Sequence, residues 1–172
     1  MYNDYKQDIL LKINREEKLM NKKVILELIW WVVTAIIVVL IMFPIYNTVG
    51  GKYTFYLPNI FLIALFVTFT RYIFLLKYTL FADNKKLKVV LIFFPILLFF
   101  YAINSLFNFQ DYIDKDEHIQ MLSHLSPDSA MEIYKYMKYQ FLFFGTGSML
   151  VIFLFPIRMI ISVWRSINTD TV

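Results

Sequence analysis

Four long apolar runs, separated by shorter polar or charged stretches, set the pattern of this chain. They cover about residues 24–43, 57–81, 87–109 and 139–164. At about 1.5 Å of rise per residue, each is long enough to cross a hydrocarbon core of about 30 Å as an α-helix. The expected fold is therefore all-α and polytopic: four transmembrane helices in an up-down bundle with a short helical outer loop. Residues 1–23 then form an amphipathic N-terminal segment, 44–56 and 110–138 are outer loops within a transmembrane domain spanning 24–167, and 168–172 is a tail.

The punctuation between the runs sharpens this outline. Residues 1–23 hold six Lys/Arg and four Asp/Glu, with Ile9, Leu10, Ile13 and Met20 at near-helical spacing. That pattern suits a helix lying on the membrane or on a partner. The first apolar run starts only at Val24 and exceeds the roughly 7–15 residues of a signal-peptide core. Pro44 is expected to end the first helix, and Trp30 and Trp31 to anchor it at the interface. Gly50-Gly51, between aromatic and β-branched residues, reads as a β-hairpin turn within 44–56. A tight turn with Lys85, Lys86 and Lys88 is expected over 82–88. Ser126-Pro127-Asp128 combines an N-cap, a proline at the first helical position and an acid in the first turn. Helical sequence runs from there to about Trp164, and is long enough for its first three turns to project beyond the membrane.

Composition agrees with a membrane chain and adds an orientation. The sequence is 59% hydrophobic, against about 45–50% for ordinary soluble domains. Cysteine is absent, which removes disulfides, thiol nucleophiles and cysteine-held metals. Four glycines against 19% aromatic residues favour a tightly packed, passive bundle over a moving one. With both termini inside, thirteen Lys/Arg lie on inner segments and four (Lys52, Lys115, Lys135 and Lys138) outside. The positive-inside rule then places both termini in the cytoplasm of a bacterial inner membrane.

Candidate chemistry concentrates on Arg71, in the middle of an apolar run. An arginine in hydrocarbon costs at least about 2.5–3.5 kcal/mol, so its head should turn toward protein, water or headgroups. Ala64 and Thr68, four residues apart, offer a small face on the same side. Helical rise brings Glu27, Arg71, Lys77 and Arg158 to one layer of the inner leaflet. Glu27 is expected to pair with Arg71 or Arg158; the remaining bases would meet lipid phosphates, an anionic ligand or an acidic partner. Tyr101, Asn104 and Asn108 form a polar stripe expected to hydrogen-bond between helices. Gly145, Gly147 and Ser148 mark a close helix contact. Asp114 and His118 have an i,i+4 spacing usable for a metal, but no third ligand is fixed beside them. Met121, Leu122 and Leu125 suit a short amphipathic helix facing the bundle.

No phosphate-binding loop, nucleophile elbow or CxxC is present, and no basic patch carries the aromatic stacking groups of a nucleic-acid site. The sequence therefore points away from an enzyme, a cofactor, a metal and nucleic acid. Membrane lipids and other membrane subunits are the expected partners, and a homo-oligomer is compatible with the same features. The reading that follows is a non-catalytic integral membrane subunit packing against or anchoring a larger assembly. Its rival is an oligomeric pore, transport or anionic-lipid-binding module built on the inner-leaflet charges.

Overall fold

The computed structural model describes residues 2–79 and 85–168. All regular structure among them is helical: α1 (Tyr2–Val49), α2 (Tyr56–Leu75), α3 (Lys85–Asp114), α4 (Glu117–Leu122) and α5 (Pro127–Asn168). Short 3₁₀ turns, Gly50–Lys52 and Leu76–Tyr78, follow α1 and α2. Four stretches, Glu17–Lys52, Tyr56–Tyr78, Leu87–Asp114 and Pro127–Arg165, are long and apolar enough to cross a membrane. Part of the expected 82–88 turn, the last two residues of the expected second helix and the tail beyond Asn168 lie outside the described residues.

Two expectations about the first connection are corrected. Pro44 does not end the first helix, which runs through it to Val49. Proline removes one N–H and crowds the carbonyl four residues back, here that of the exposed Leu40. One residue on, the Tyr136 hydroxyl of α5 donates to the Ile41 carbonyl at 2.8 Å and ties this turn of α1 to α5. The hairpin is also absent: Gly50 supplies its positive φ of 62° directly after α1, where a glycine commonly closes a helix. Tyr56 donates to the Gly50 carbonyl at 2.6 Å, tying the turn to the start of α2.

Packing centres on α5, which lies along both α2 and α3. It runs parallel to α2: Ser148 donates to the Leu62 carbonyl at 2.7 Å, and Arg158, further along, to the Ile73 carbonyl at 2.9 Å. It runs antiparallel to α3, where Phe109 and Phe141 stack at 3.9 Å and Leu106 meets Gly145. The small residues of α5 permit both approaches. A Cβ at Gly145 would come within 2.5 Å of Leu106 Cδ2, and one at Gly147 within 2.8 Å of Phe66 Cε2. Phe55 sits edge-on to Phe109 and Phe141 and anchors the α1–α2 connection in the core. By contrast α1 is peripheral, touching α2 more than α5 and turning most of its apolar side chains outward.

At the end remote from Arg158, α5 starts as its sequence suggests. The Ser129 N–H points at Ser126 Oγ at 3.4 Å, and the two hydroxyls lie 3.0 Å apart. Between α3 and α5, α4 buries Met121 and Leu122 with Leu125 partly covered, and Tyr112 of α3 reaches Met121 Sδ at 3.7 Å. A left-handed Asp116, φ 56°, separates α4 from α3.

The Gly147 contact yields a direct test. Its neighbour is an aromatic ring packed by Phe143 and Phe144, which cannot simply swing away. Gly147→Val is expected to destabilise the protein by about 1–3 kcal/mol through overpacking. Exposed Thr146→Ala should stay within about 0.5 kcal/mol. Melting temperatures in mild detergent check this; equal values for the two variants would contradict the close α2–α5 contact.

Candidate functional site

The polar centre of the molecule joins α1 to α2. Arg71 Nη2 lies 2.7 Å from Glu27 Oε2, and both side chains are buried. The guanidinium carbon sits 5.6 Å from the Trp30 ring centroid and 5.0 Å from that of Tyr72. The site arises from local helix geometry. Glu27 and Trp30 are three residues apart on α1 and share one face. Arg71 and Tyr72 are neighbours on α2, and the long arginine stem carries its head to the layer of Glu27. A planar guanidinium can face aromatic rings and a carboxylate at once, which a lysine ammonium does less well. The second carboxylate oxygen, Glu27 Oε1, is buried without a hydrogen bond.

Of the four charges expected in one layer, the structure pairs only Glu27 and Arg71. Arg158 lies on the same level, two residues along α2 from Arg71, but spends its Nε on the Ile73 carbonyl. Its two terminal nitrogens make no contact with an acid among the described residues. Lys77 is exposed in the 3₁₀ turn with its ammonium 5.2 Å from the Tyr78 ring. Trp30, read from sequence as an interfacial anchor, lies against the Arg71 head, while Trp31 is exposed. Lys88, read from sequence only as part of a charged turn, lies in α3 and is buried.

Of the Tyr101/Asn104/Asn108 stripe, only Tyr101 meets another helix, through Phe61 of α2. Asn104 and Asn108 are exposed on the outer face of α3, and Tyr101 meets Phe61 edge-on at 4.8 Å. Ser105, on the adjoining face, is the residue that turns inward. The physical reason is register: the face of α3 that meets α5 is set by Ala102 and Phe109, and both asparagines stand about 100–160° round the helix from these two.

A second buried polar group lies at the far end, where Tyr53 and Asn59 sit inside the aromatic core. Neither makes a well-formed hydrogen bond. Burial pushes the Tyr53 phenol above its usual range, with Tyr112 adding to the effect and the Asn59 carboxamide opposing it. An asparagine within an apolar helix is a signal visible in sequence; its partner across the turn is not.

The outer loop builds no metal centre among the described residues. Asp114 ends α3 and accepts from Gln110, whereas His118 belongs to α4 beyond the Asp116 break, so the i,i+4 face does not form. His118 stacks on Tyr134 at 4.4 Å with its Nδ1 unbonded. Desolvation lowers its pKa, Asp116 opposes that and Lys138 reinforces it, so the ring favours the neutral form. A cleft of about 420 Å³ opens beside it, lined mainly by Ile119, Leu122, Leu125, Ala130 and Met131.

Substitution at Arg71 separates charge from shape. Arg71→Lys keeps a cation opposite Glu27 but loses the fork and the broad contact with Trp30 and Tyr72. It is expected to lower thermal stability in detergent, while Arg158→Lys, which gives up one bond to a backbone carbonyl, changes it less. Indistinguishable melting shifts for the two would contradict a special role for the Arg71 head.

No known protein family, characterised protein or solved structure matches this chain.

Proposed function

We propose that this chain is a four-span protein of a bacterial cytoplasmic membrane, an up-down bundle with both termini inside. We further propose that it serves as a non-catalytic subunit that packs against or anchors a larger membrane assembly. The distribution of Lys and Arg supports the orientation, since the end holding Arg71, Lys77, Lys88 and Arg158 is the basic one.

The observation that carries the functional reading is the continuity of α1. Its charged first part continues unbroken into the apolar span, which supports a helix that projects from the membrane over one that lies along it. Residues 2–23 would therefore reach about 33 Å from the membrane. Along this projection Leu10, Leu11, Leu19 and Met20 are all exposed, Leu11 at 64%. Large apolar side chains on an isolated helix in water are a poor end state, and a partner chain that covers them is the simplest remedy. The peripheral position of α1 also leaves its membrane-embedded outer face open to another helix.

A second reading is favoured by Arg158. With only Nε bonded, its remaining nitrogens can receive a phosphate or carboxylate from an anionic lipid headgroup.

One experiment distinguishes them. A photoreactive residue placed at Leu11 should capture one distinct partner protein in native membranes. Leu10→Asn with Leu19→Asn should abolish the capture without changing the melting temperature. Undiminished capture, or none at all, would contradict the subunit reading. Retention of anionic phospholipid in native mass spectrometry, lost on Arg158→Gln with no partner captured, would favour the second.

A further inference from the structure

Asn104 is exposed on α3 and makes no hydrogen bond among the described residues. Leu98 is the midpoint of the apolar run 87–109, and the six residues from there to Asn104 rise about 9 Å. That keeps the carboxamide inside a hydrocarbon half-thickness of about 15 Å. Lipid tails offer its donors and acceptor nothing, and an unmet polar group there costs several kcal/mol on hydrocarbon scales. Asn108, one turn nearer the surface, continues the same face, with Leu97 and Tyr101 on its inner side. The Tyr101 ring is held by the edge-on contact with Phe61 and so is presented in a fixed pose.

The group itself narrows the choice of occupant. A carboxamide carries two donors and an acceptor with two lone pairs, so it is complementary to another carboxamide. A second copy in the same membrane has the same topology. A two-fold axis along the membrane normal therefore places each residue opposite itself at equal depth, without any further matching. A different protein would need its own polar group at that height. We infer that two copies of this chain pair through α3 about such an axis, with Asn104 bonding to Asn104 of the partner copy in the outer leaflet. This face has no small residues, so the helices meet through interleaved side chains and not through close backbone approach. The inference rests on the membrane-spanning reading and uses a different helix from the proposed role of α1.

Because the chain contains no cysteine, single substitutions report the contact directly. Tyr101→Cys lies one turn from Asn104 on the same face. Leu150→Cys lies on α5 at a similar depth, given that Gly145 is level with Leu106, and Leu150 is the more exposed of the two, 66% against 38%. Membranes carrying each variant would be oxidised with copper phenanthroline and the dimer followed on non-reducing gels. Tyr101→Cys is expected to form a disulfide dimer and Leu150→Cys to stay monomeric. Adding Asn104→Leu to Tyr101→Cys should slow dimer formation about tenfold, the loss of two interhelical bonds, and Asn104→Gln should retain it. Equal cross-linking of the two cysteine variants, or no effect of Asn104→Leu, would overturn the dimer. So would unfolding of Asn104→Leu, because it would reveal a partner within the protomer. Recovery of the protein from the soluble fraction would instead overturn the membrane reading itself.

Discussion

One ion pair across the α1–α2 contact holds the basic end of α1 to the rest of the protein. The core proper is made by α2, α3 and α5, whose rings and small residues interlock along most of their length. Helix α1 has no comparable apolar interface, and in hydrocarbon an apolar helix gains little by leaving lipid for protein. What ties it down at its basic end is the Glu27 carboxylate against the Arg71 guanidinium. Neither group is tolerable alone at that depth. The pair is held less by its own attraction than by the cost of separating it. The rings of Trp30 and Tyr72 lie against the arginine head.

The core shows a different logic, that of steric permission. Two parallel helices, α2 and α5, are not chain neighbours, yet they pack directly. They can because Gly147 accepts the Phe66 ring and Ser148 returns a hydrogen bond to the Leu62 carbonyl. Gly145 makes the same allowance for Leu106 on α3. Without those three small positions α5 could not sit between both helices, and the aromatic cluster of Phe55, Phe109 and Phe141 would not close. Rigidity here and looseness in α1 fit a protein whose bundle is a fixed base and whose first helix reaches outward.

Much of this was legible in the residues. A lone arginine in an apolar run announces a buried partner, and depth along the helices picked out the layer in which Glu27 was found. The Gly145–Gly147–Ser148 patch announced close packing, and Ser126-Pro127 the start of α5. What sequence could not supply was rotation. Helix periodicity says that Asn104 and Asn108 share a face but not which face meets a neighbour, and the larger apolar residues of α3 took the inward side. Nor could it rank competing local signals. Gly50 serves a helix end as well as a hairpin, and Pro44 sits within a helix as well as it would end one. Trp30 suits both an interface and an arginine, and its contact with Arg71 depends on how α1 meets α2, which periodicity does not give.

The central claim is that Glu27 and Arg71 act as one unit, apart from the other bases of their layer. A double-mutant cycle measures this directly. Glu27→Gln and Arg71→Gln, singly and together, would be compared by unfolding in mild detergent, beside the parallel cycle of Glu27→Gln with Arg158→Gln. The account predicts that each single change at the pair costs about 3–5 kcal/mol, that the double change costs well short of the sum, and that the Arg158 cycle is additive. Additive effects at Glu27 and Arg71, or coupling of Glu27 to Arg158 instead, would contradict it.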